Sequence, residues 1–458
     1  MIDSSVKNAD RLLLVLVVTL VFSVMNGTMF NVVLPAIRKE FELLPSQVSW
    51  VMSSYMVIYA IGSVIFGKLA DNYRLKDLLT YGMSLFAFGS LVGFLSVDYW
   101  MLIAGRVLQA AGASVLPATA MIIPIRYFAP EKRGRALGTS AIGIALGNAL
   151  GPIVAGVVTS FGSWRMLFLL SLLPIVTLPF FRMYLDNVKG NAGRIDLLGG
   201  ALLAGTIAFS LLTITLGSGL LLIGALALLA CFIVRIRKAD NPFINPKLFR
   251  NKHFTIGLVL AFITTSMSFG MMFMTPQFLS GINGLSPGSI GFVLMPAALA
   301  AAMLGRKGGK LADERGNNAL VSTASLLLML CFALLSTFIG VSPYIIAIIL
   351  VLGYVGQTFM QVAMSNTVSR TLTKEDIGVG MGMLSMINFI SGATAMSLIG
   401  KLLDNSSASF HLNPIVTNSS AFVYSNIFFV LCVILICVAA VYRLQFGSTL
   451  VTAAADNK

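Results

Sequence analysis

Apolar stretches of membrane length, separated by short polar turns, fill this 458-residue chain from end to end. Roughly 20 apolar residues cross the hydrocarbon core as a helix. The stretches lie at about 12–34, 48–67, 78–96, 100–122, 136–160, 164–184, 197–216, 219–236, 254–276, 287–305, 319–340, 342–366, 377–400 and 422–444. Lipid offers no partner to a backbone amide, so each stretch has to satisfy its own hydrogen bonds as a helix. The expected fold class is an all-α membrane protein with fourteen transmembrane helices. The third, eighth and tenth stretches are short and are the expected sites of tilt or irregularity. The first begins near Arg11 without a small-residue cleavage site, which reads as a retained helix.

A net charge of +14 would suit a nucleic-acid binder, but its placement points elsewhere. With the N-terminus in the cytoplasm, the basic residues fall in cytoplasmic loops and span ends, except Arg38, Lys39, Arg165 and Lys401 outside and Arg106 within a span. This is the positive-inside bias, and it places both termini in the cytoplasm. No nucleic-acid partner is expected.

The pentapeptide Gly-Lys-Leu-Ala-Asp occurs at Gly67–Asp71 and again at Gly309–Asp313, each time after an apolar stretch. A second echo has nearly the same separation: Glu131, Gly134 and Gly138 match Glu375, Gly378 and Gly382. The chain therefore reads as two related halves, as transporters are commonly built. The expected organisation is an N-terminal six-helix bundle over 1–185, an inserted pair of helices with linkers over 186–253, and a C-terminal six-helix bundle over 254–458. In the repeated loops, Asp71 and Asp313 lie among Arg74, Lys76 and other basic residues. A carboxylate there would cap a helix N-terminus of the other half while the cytoplasmic side is closed, so Gly67, Asp71, Arg74, Lys76, Gly309 and Asp313 are the gating candidates. The segment from about Leu402 to Ser420 reads as a mobile external cap.

All 17 acidic residues fall at span ends or in loops. A carrier of cations would be expected to keep a carboxylate at mid-depth. The one charge well inside a span is Arg106, costing roughly 3 kcal/mol on the insertion scale. It either lines a central cavity and biases a nearby protonation, or ties helices together through carbonyls. Gln109 lies one turn further along. In the fifth span Gly143, Gly147 and Gly151 recur every four residues, giving a stripe for close helix approach. Pro152 frees a carbonyl, and Asn148 lies beside the stripe.

Polar and soft residues at mid-span are the substrate-binding candidates: Asn26, Phe30, Asn31, Tyr55, Met271, Met272, Phe273, Gln357, Gln361 and Asn388. Methionine and phenylalanine suit loose binding of varied amphipathic molecules. Cys231, Cys331, Cys432 and Cys437 lack zinc spacing and read as buried structural thiols. No Walker sequence, metal cluster or paired nucleophile is present, so no enzyme activity, metal or cofactor is expected.

Gly67–Asp71 with Arg74 and Lys76, Arg106 with Gln109 and Gly112, and Gly147 with Gly151-Pro152 resemble the signatures of the major facilitator superfamily, in particular its fourteen-helix drug:proton antiporters. Tyr73 stands where that loop signature has glycine. Phe22–Asn26, Asn31–Pro35, Asn241–Leu248 and Val423–Ile427 are similar to Gram-positive tetracycline exporters. The resemblance implies two six-helix bundles, alternating access, and export of a small-molecule drug in exchange for protons across a bacterial cytoplasmic membrane by a monomer in the lipid bilayer. Those exporters carry glutamates where this chain has Gly27 and Asn148, which favours an uncharged antibiotic such as a phenicol as much as a tetracycline. A lipid or fatty-acid transporter of the same fold is the alternative, with Arg106 meeting an anionic head.

Overall fold

Residues 2–70, 72–186, 196–240, 242–373, 376–404 and 410–446 are described by a computed structural model. Among them are fourteen helical spans long and apolar enough to cross a membrane, and no strand. The chain divides into two compact units, Met1–Asn245 and Pro246–Lys458.

The first unit holds α1 (Ile2–Glu40), α2 (Pro45–Ala70), α3 (Leu75–Phe94), α4 (Tyr99–Ala113), α5 (Val115–Tyr127), α6 (Pro130–Phe161), α7 (Met166–Leu170), α8 (Leu178–Tyr184), α9 (Leu197–Leu216) and α10 (Gly219–Lys238). Its irregular spans are the fourth, broken at Ser114 between α4 and α5, and the sixth, where a 3-10 turn at Leu173–Thr177 separates α7 from α8. The third, eighth and tenth, expected to be tilted or irregular, are continuous helices. Both breaks fall near prolines, although Pro35, Pro152, Pro276 and Pro296 lie inside helices that stay continuous. Pro117 lacks the N–H that Ala113's carbonyl would accept, and Pro174 and Pro179 interrupt the sixth span in the same way. The inserted pair α9–α10 belongs to this unit: α9 packs on α2, and Trp50 Nε1 donates to Thr215 Oγ1 at 3.0 Å.

The second unit holds α11 (Lys252–Gly281), α12 (Pro287–Arg315), α13 (Asn317–Phe338), α14 (Pro343–Arg370), α15 (Ile377–Asp404) and α16 (Phe422–Phe446). Asn251 caps α11 by accepting from the Phe254 amide at 3.2 Å, and Ser286 caps α12. α12 stays continuous past Pro296 and runs through the second pentapeptide to Gly316, at φ 83°.

The same helix plan appears in both units. The first and fifth spans pair closely as α1–α6 and again as α11–α15; the third and fourth pair as α3–α4 and again as α13–α14. Pro45 opens α2 and Pro287 opens α12, at the separation of the two pentapeptides. Gly134, Gly138, Gly378 and Gly382 all have open space where a Cβ would stand.

Two expectations are corrected. Cys331 is buried and Cys432 half-buried, but Cys231 and Cys437 are exposed, because α10 and α16 each turn an apolar face outward. The external segment is tied down where it is described. Asn413 donates to Ser336 and Thr337 at 3.2 and 3.0 Å, and Asn426 bonds Leu412 and Phe410 at 2.7 and 3.0 Å.

Candidate functional site

Arg106 forms the polar centre of the first unit. Gly105 lets α4 press against α3, since a Cβ there would lie 2.7 Å from the Gly93 nitrogen. That approach sends the next side chain inward between α1 and α2, where it is fully buried. Nε donates to the Val51 carbonyl at 3.1 Å, and Nη1 donates to Asn26 Oδ1 at 3.1 Å and Gln109 Oε1 at 2.9 Å. Nη2 lies 3.8 Å from Met52 Sδ. The guanidinium carbon sits 4.3 Å from the Phe30 ring and 4.2 Å from the Tyr55 ring, contacts worth about 2 kcal/mol or more each when desolvated.

The amides that receive Arg106 are themselves held. Gln109 Nε2 donates to Ser90 Oγ at 2.8 Å, and Asn26 donates to Ser171 Oγ. One cation thus joins the first, second, third, fourth and sixth spans, with no carboxylate in contact among the described residues. The geometry supplies the helix tie, and in this structure Arg106 presents no open surface. Asn26, Phe30, Tyr55 and Gln109 are all spent on that tie.

The glycine stripe of α6 faces α1. A Cβ at Gly147 would lie 2.7 Å from the Val21 carbonyl oxygen and 2.8 Å from Val24 Cβ. At Gly151 it would lie 2.8 Å from Thr28 Cβ. Asn148, beside the stripe, is exposed. Prolines inside five helices free the carbonyls four residues earlier: Pro35 frees that of Asn31, Pro124 that of Ala120, Pro152 that of Asn148, Pro276 that of Met272 and Pro296 that of Phe292. Asn31 is buried, and its side-chain oxygen has no partner among the described residues.

The second unit has a softer middle. Met271 and Phe273 are wholly buried, with Met271 Sδ 3.8 Å from Cys331 Sγ. Met272, Gln357 and Asn388 are half-buried and Gln361 is exposed. Gln357 Nε2 reaches Met272 Sδ at 3.7 Å, and Thr265 donates to Asn388 Oδ1 at 3.1 Å. Thr265, Phe269 and Met272 share one face of α11, making an uncharged, polarizable strip with α14 and α15.

Gly67 lies in the last turn of α2, and Arg74 and Lys76 lie at the start of α3; Asp71 lies outside the described residues. Gly309 and Asp313 are on the last turns of α12, with Asp313 exposed. Lys68 Nζ donates to the Pro242 carbonyl at 3.0 Å and stands 5.6 Å from the Phe243 ring. Beside it Asp196 accepts from Gly199 N at 3.0 Å, Arg235 Nε at 3.0 Å and Phe243 N at 3.2 Å. Burial pushes the Asp196 carboxyl up, but the Gly199 amide, the Arg235 bond, the Phe243 amide and the Arg235 charge together hold it below the usual carboxylate range.

Sequence reasoning missed Val51, Met52, Ser90, Ser171, Thr265, Lys68 and Asp196. Ser90 and Ser171 carried a usable signal, being hydroxyls deep in apolar runs. The Val51 carbonyl carried none.

A fourteen-span helical body assembled twice from one helix plan, with buried polar ties at mid-depth, defines a multi-pass membrane transporter. The profile of the Major Facilitator Superfamily matches residues 16–396, and the chain belongs to that family. Over 83% of its length it is 25% identical to the riboflavin transporter RibZ of Clostridioides difficile (strain 630), covering 85% of that protein. It is 27% identical over 74% of its length to the methylenomycin A resistance protein of Bacillus subtilis (strain 168), covering 75% of it. Its fold matches the inward-facing, unoccupied crystal structure of a bacterial homolog of the human lysosomal transporter Spinster, with a TM-score of 0.67, 14% identity, and 96% of this chain and 97% of that one covered.

Proposed function

We propose that this transporter exports small amphipathic antibiotics of the tetracycline or phenicol class by alternating access, in exchange for protons. It would act as a monomer in a bacterial cytoplasmic membrane with both termini inside. The observation that carries the reading is the half-exposed strip of Met272, Gln357, Asn388, Thr265 and Phe269. It offers polarizable surface and amide hydrogen bonds without a fixed charge, which suits a neutral or zwitterionic ligand of variable shape. Every acidic residue described in a span lies within its end turns, so neutralisation of a cationic drug at mid-depth is not part of the mechanism. The likeness to a methylenomycin A resistance protein supports an antibiotic as cargo.

Everted vesicles carrying the protein should take up tetracycline or florfenicol when energised, and a proton ionophore should abolish the uptake. No uptake of either drug would overturn the proposal. A flavin is the second reading, favoured by the likeness to RibZ. Riboflavin uptake in the same vesicles, uncompeted by either drug, would establish it instead. For the gate, Asp71→Asn should lower turnover while drug binding is retained; equal loss of both would remove Asp71 from that role.

A further inference from the structure

A groove of about 410 Å³ runs between α13 and α16 on the second unit, lined by Asn318, Ser322, Ser325, Met329, Ala440 and Arg443 among others. Its volume falls in the ~300–1,000 Å³ range of small-molecule clefts. The lining residues follow helical spacing: Asn318, Ser322, Ser325 and Met329 share one face of α13, and Ile436, Ala439, Ala440 and Arg443 share one face of α16. The alanines create the space between the helices.

The groove is polar at one end and apolar at the other. Asn318 and Arg443 lie at the ends of their helices, where the basic loops cluster. From Asn318 to Met329 the helix rises by about 16 Å, roughly half the ~30 Å hydrocarbon core. The groove therefore reaches from head-group level to mid-bilayer, the depth of one leaflet.

Two of its buried polar atoms, on Ser325 and Asn318, are unpartnered among the described residues. Ser325, 2% exposed, has a buried hydroxyl with no hydrogen bond among the described residues, whereas Thr323 and Thr337 on the same helix bond back to carbonyls one turn earlier. The Asn318 side-chain oxygen is likewise buried and unpartnered, as is that of neighbouring Asn317. Arg443 is exposed and meets no carboxylate among the described residues. Tyr442, which also lines the groove, and Thr367 are already engaged with Asn317, so they are not free to satisfy these atoms.

We infer that this groove holds a resident anionic glycerophospholipid whose head group carries hydroxyls. Arg443 meets the phosphate, and Asn318 accepts from a head-group hydroxyl. Ser322 and Ser325 donate toward the ester carbonyls. Met329, Ile436 and Ala439 line the path of an acyl chain. The lipid is a bound component of the second unit rather than cargo, and the inference is independent of the drug that is carried.

Native mass spectrometry of the full-length protein, with phosphatidylglycerol and phosphatidylcholine of the same acyl chains offered in turn, tests this. Wild type should retain one phosphatidylglycerol per chain, preferred by about fivefold, the increment expected for one basic side chain at an anionic head group. Arg443→Gln should erase that preference and Arg443→Lys should keep most of it. Ala440→Phe should displace both lipids, with unchanged thermal unfolding as the check that the chain remains folded. Equal phosphatidylglycerol retention in wild type and Ala440→Phe would overturn the inference. So would a preference unaffected by Arg443→Gln, or a groove that retains florfenicol or tetracycline in place of lipid.

Discussion

The seam between the first and fifth spans is built twice in this protein and closed in two ways. In the first unit α6 lies against α1 through Gly143, Gly147 and Gly151, with backbone and β-carbons close enough to exclude a methyl group. In the second unit, at the separation of the loop echo, Ser391 and Ala395 stand where Gly147 and Gly151 stand. There the helices meet through Ser266 donating to the Ser391 carbonyl at 3.2 Å and Thr265 donating to Asn388 at 3.1 Å. Close packing makes a single-valued contact, because dispersion is lost within half an ångström of separation. Hydroxyl and amide contacts at half-buried positions can exchange partners. The comparison assigns rigidity to the first unit and adaptability to the second.

Adding bulk to the glycine seam should have the largest effect. Even the Cβ of Gly147→Ala meets the Val21 carbonyl oxygen and Val24 Cβ at sub-van-der-Waals distances, a strain of about 1–3 kcal/mol. Gly147→Leu should leave little folded protein by size-exclusion chromatography of the detergent extract. The matching Ser391→Ala should elute normally. Comparable yields from both leucine and alanine variants would remove the distinction between the seams.

Arg106→Met comes next. It removes the donor from Asn26 and Gln109, leaving two buried amide oxygens that cost about 1–3 kcal/mol each. The thermal midpoint followed by tryptophan fluorescence should fall, and vesicle transport should be lost. Gln357→Leu, which removes the contact with Met272 Sδ in the second unit, should leave stability within about 1 kcal/mol of wild type and the midpoint little changed. A larger drop for Gln357→Leu than for Arg106→Met would reverse the comparison.

These contrasts explain what the sequence revealed. Fourteen spans, the duplication and the lone buried cation were legible, because hydropathy, a repeated pentapeptide and a charge in an apolar run are all carried by residue identity. The partners of Arg106 were only half legible. Asn26 and Gln109 are polar at mid-span, but Val51 acts through its carbonyl, which every residue has. Tyr55 and Phe30 read as pocket residues, because an aromatic ring that covers a guanidinium has the same composition as one that covers a drug. The breaks in the fourth and sixth spans fall near Pro117, Pro174 and Pro179, a signal that span length alone obscured. Lys68 looked like one more cation of a basic loop, yet it turns to Pro242. Its counterpart Lys310 is exposed and pairs with Glu314 at 3.4 Å.

The first pentapeptide sharpens the comparison further, since its Lys68 is engaged by Pro242 and Phe243 in the linker after the inserted pair. Asp196→Asn removes the charge that meets Arg235 and keeps a single oxygen, which can accept from the Gly199 amide or the Phe243 amide but not from both as the carboxylate does. Arg235 is 41% exposed, so screening limits the loss to about 1 kcal/mol or less. The sign of the pH effect is set by the lowered carboxyl: ionised Asp196 favours the folded unit, so its contribution is complete above the unfolded carboxylate value and disappears as pH falls below about 4. The thermal midpoint of wild type and Asp196→Asn should thus converge on acidification. Parallel curves would remove the charge from that role.

The smallest effect is expected at the adaptable seam. Ser266→Ala removes one hydroxyl whose partner carbonyl belongs to a helix, a change of about 0.5–1.5 kcal/mol or less. Its influence should appear in selectivity rather than stability, because Ser266 stands one position from Thr265, which orients Asn388 on the uncharged strip. The ratio of florfenicol to tetracycline uptake in vesicles should shift for Ser266→Ala and for Asn388→Ala in the same direction, with the thermal midpoint nearly unchanged. If both ratios stay at the wild-type value, the second seam is as inert toward cargo as the first. The adaptability assigned to it would then have no bearing on transport.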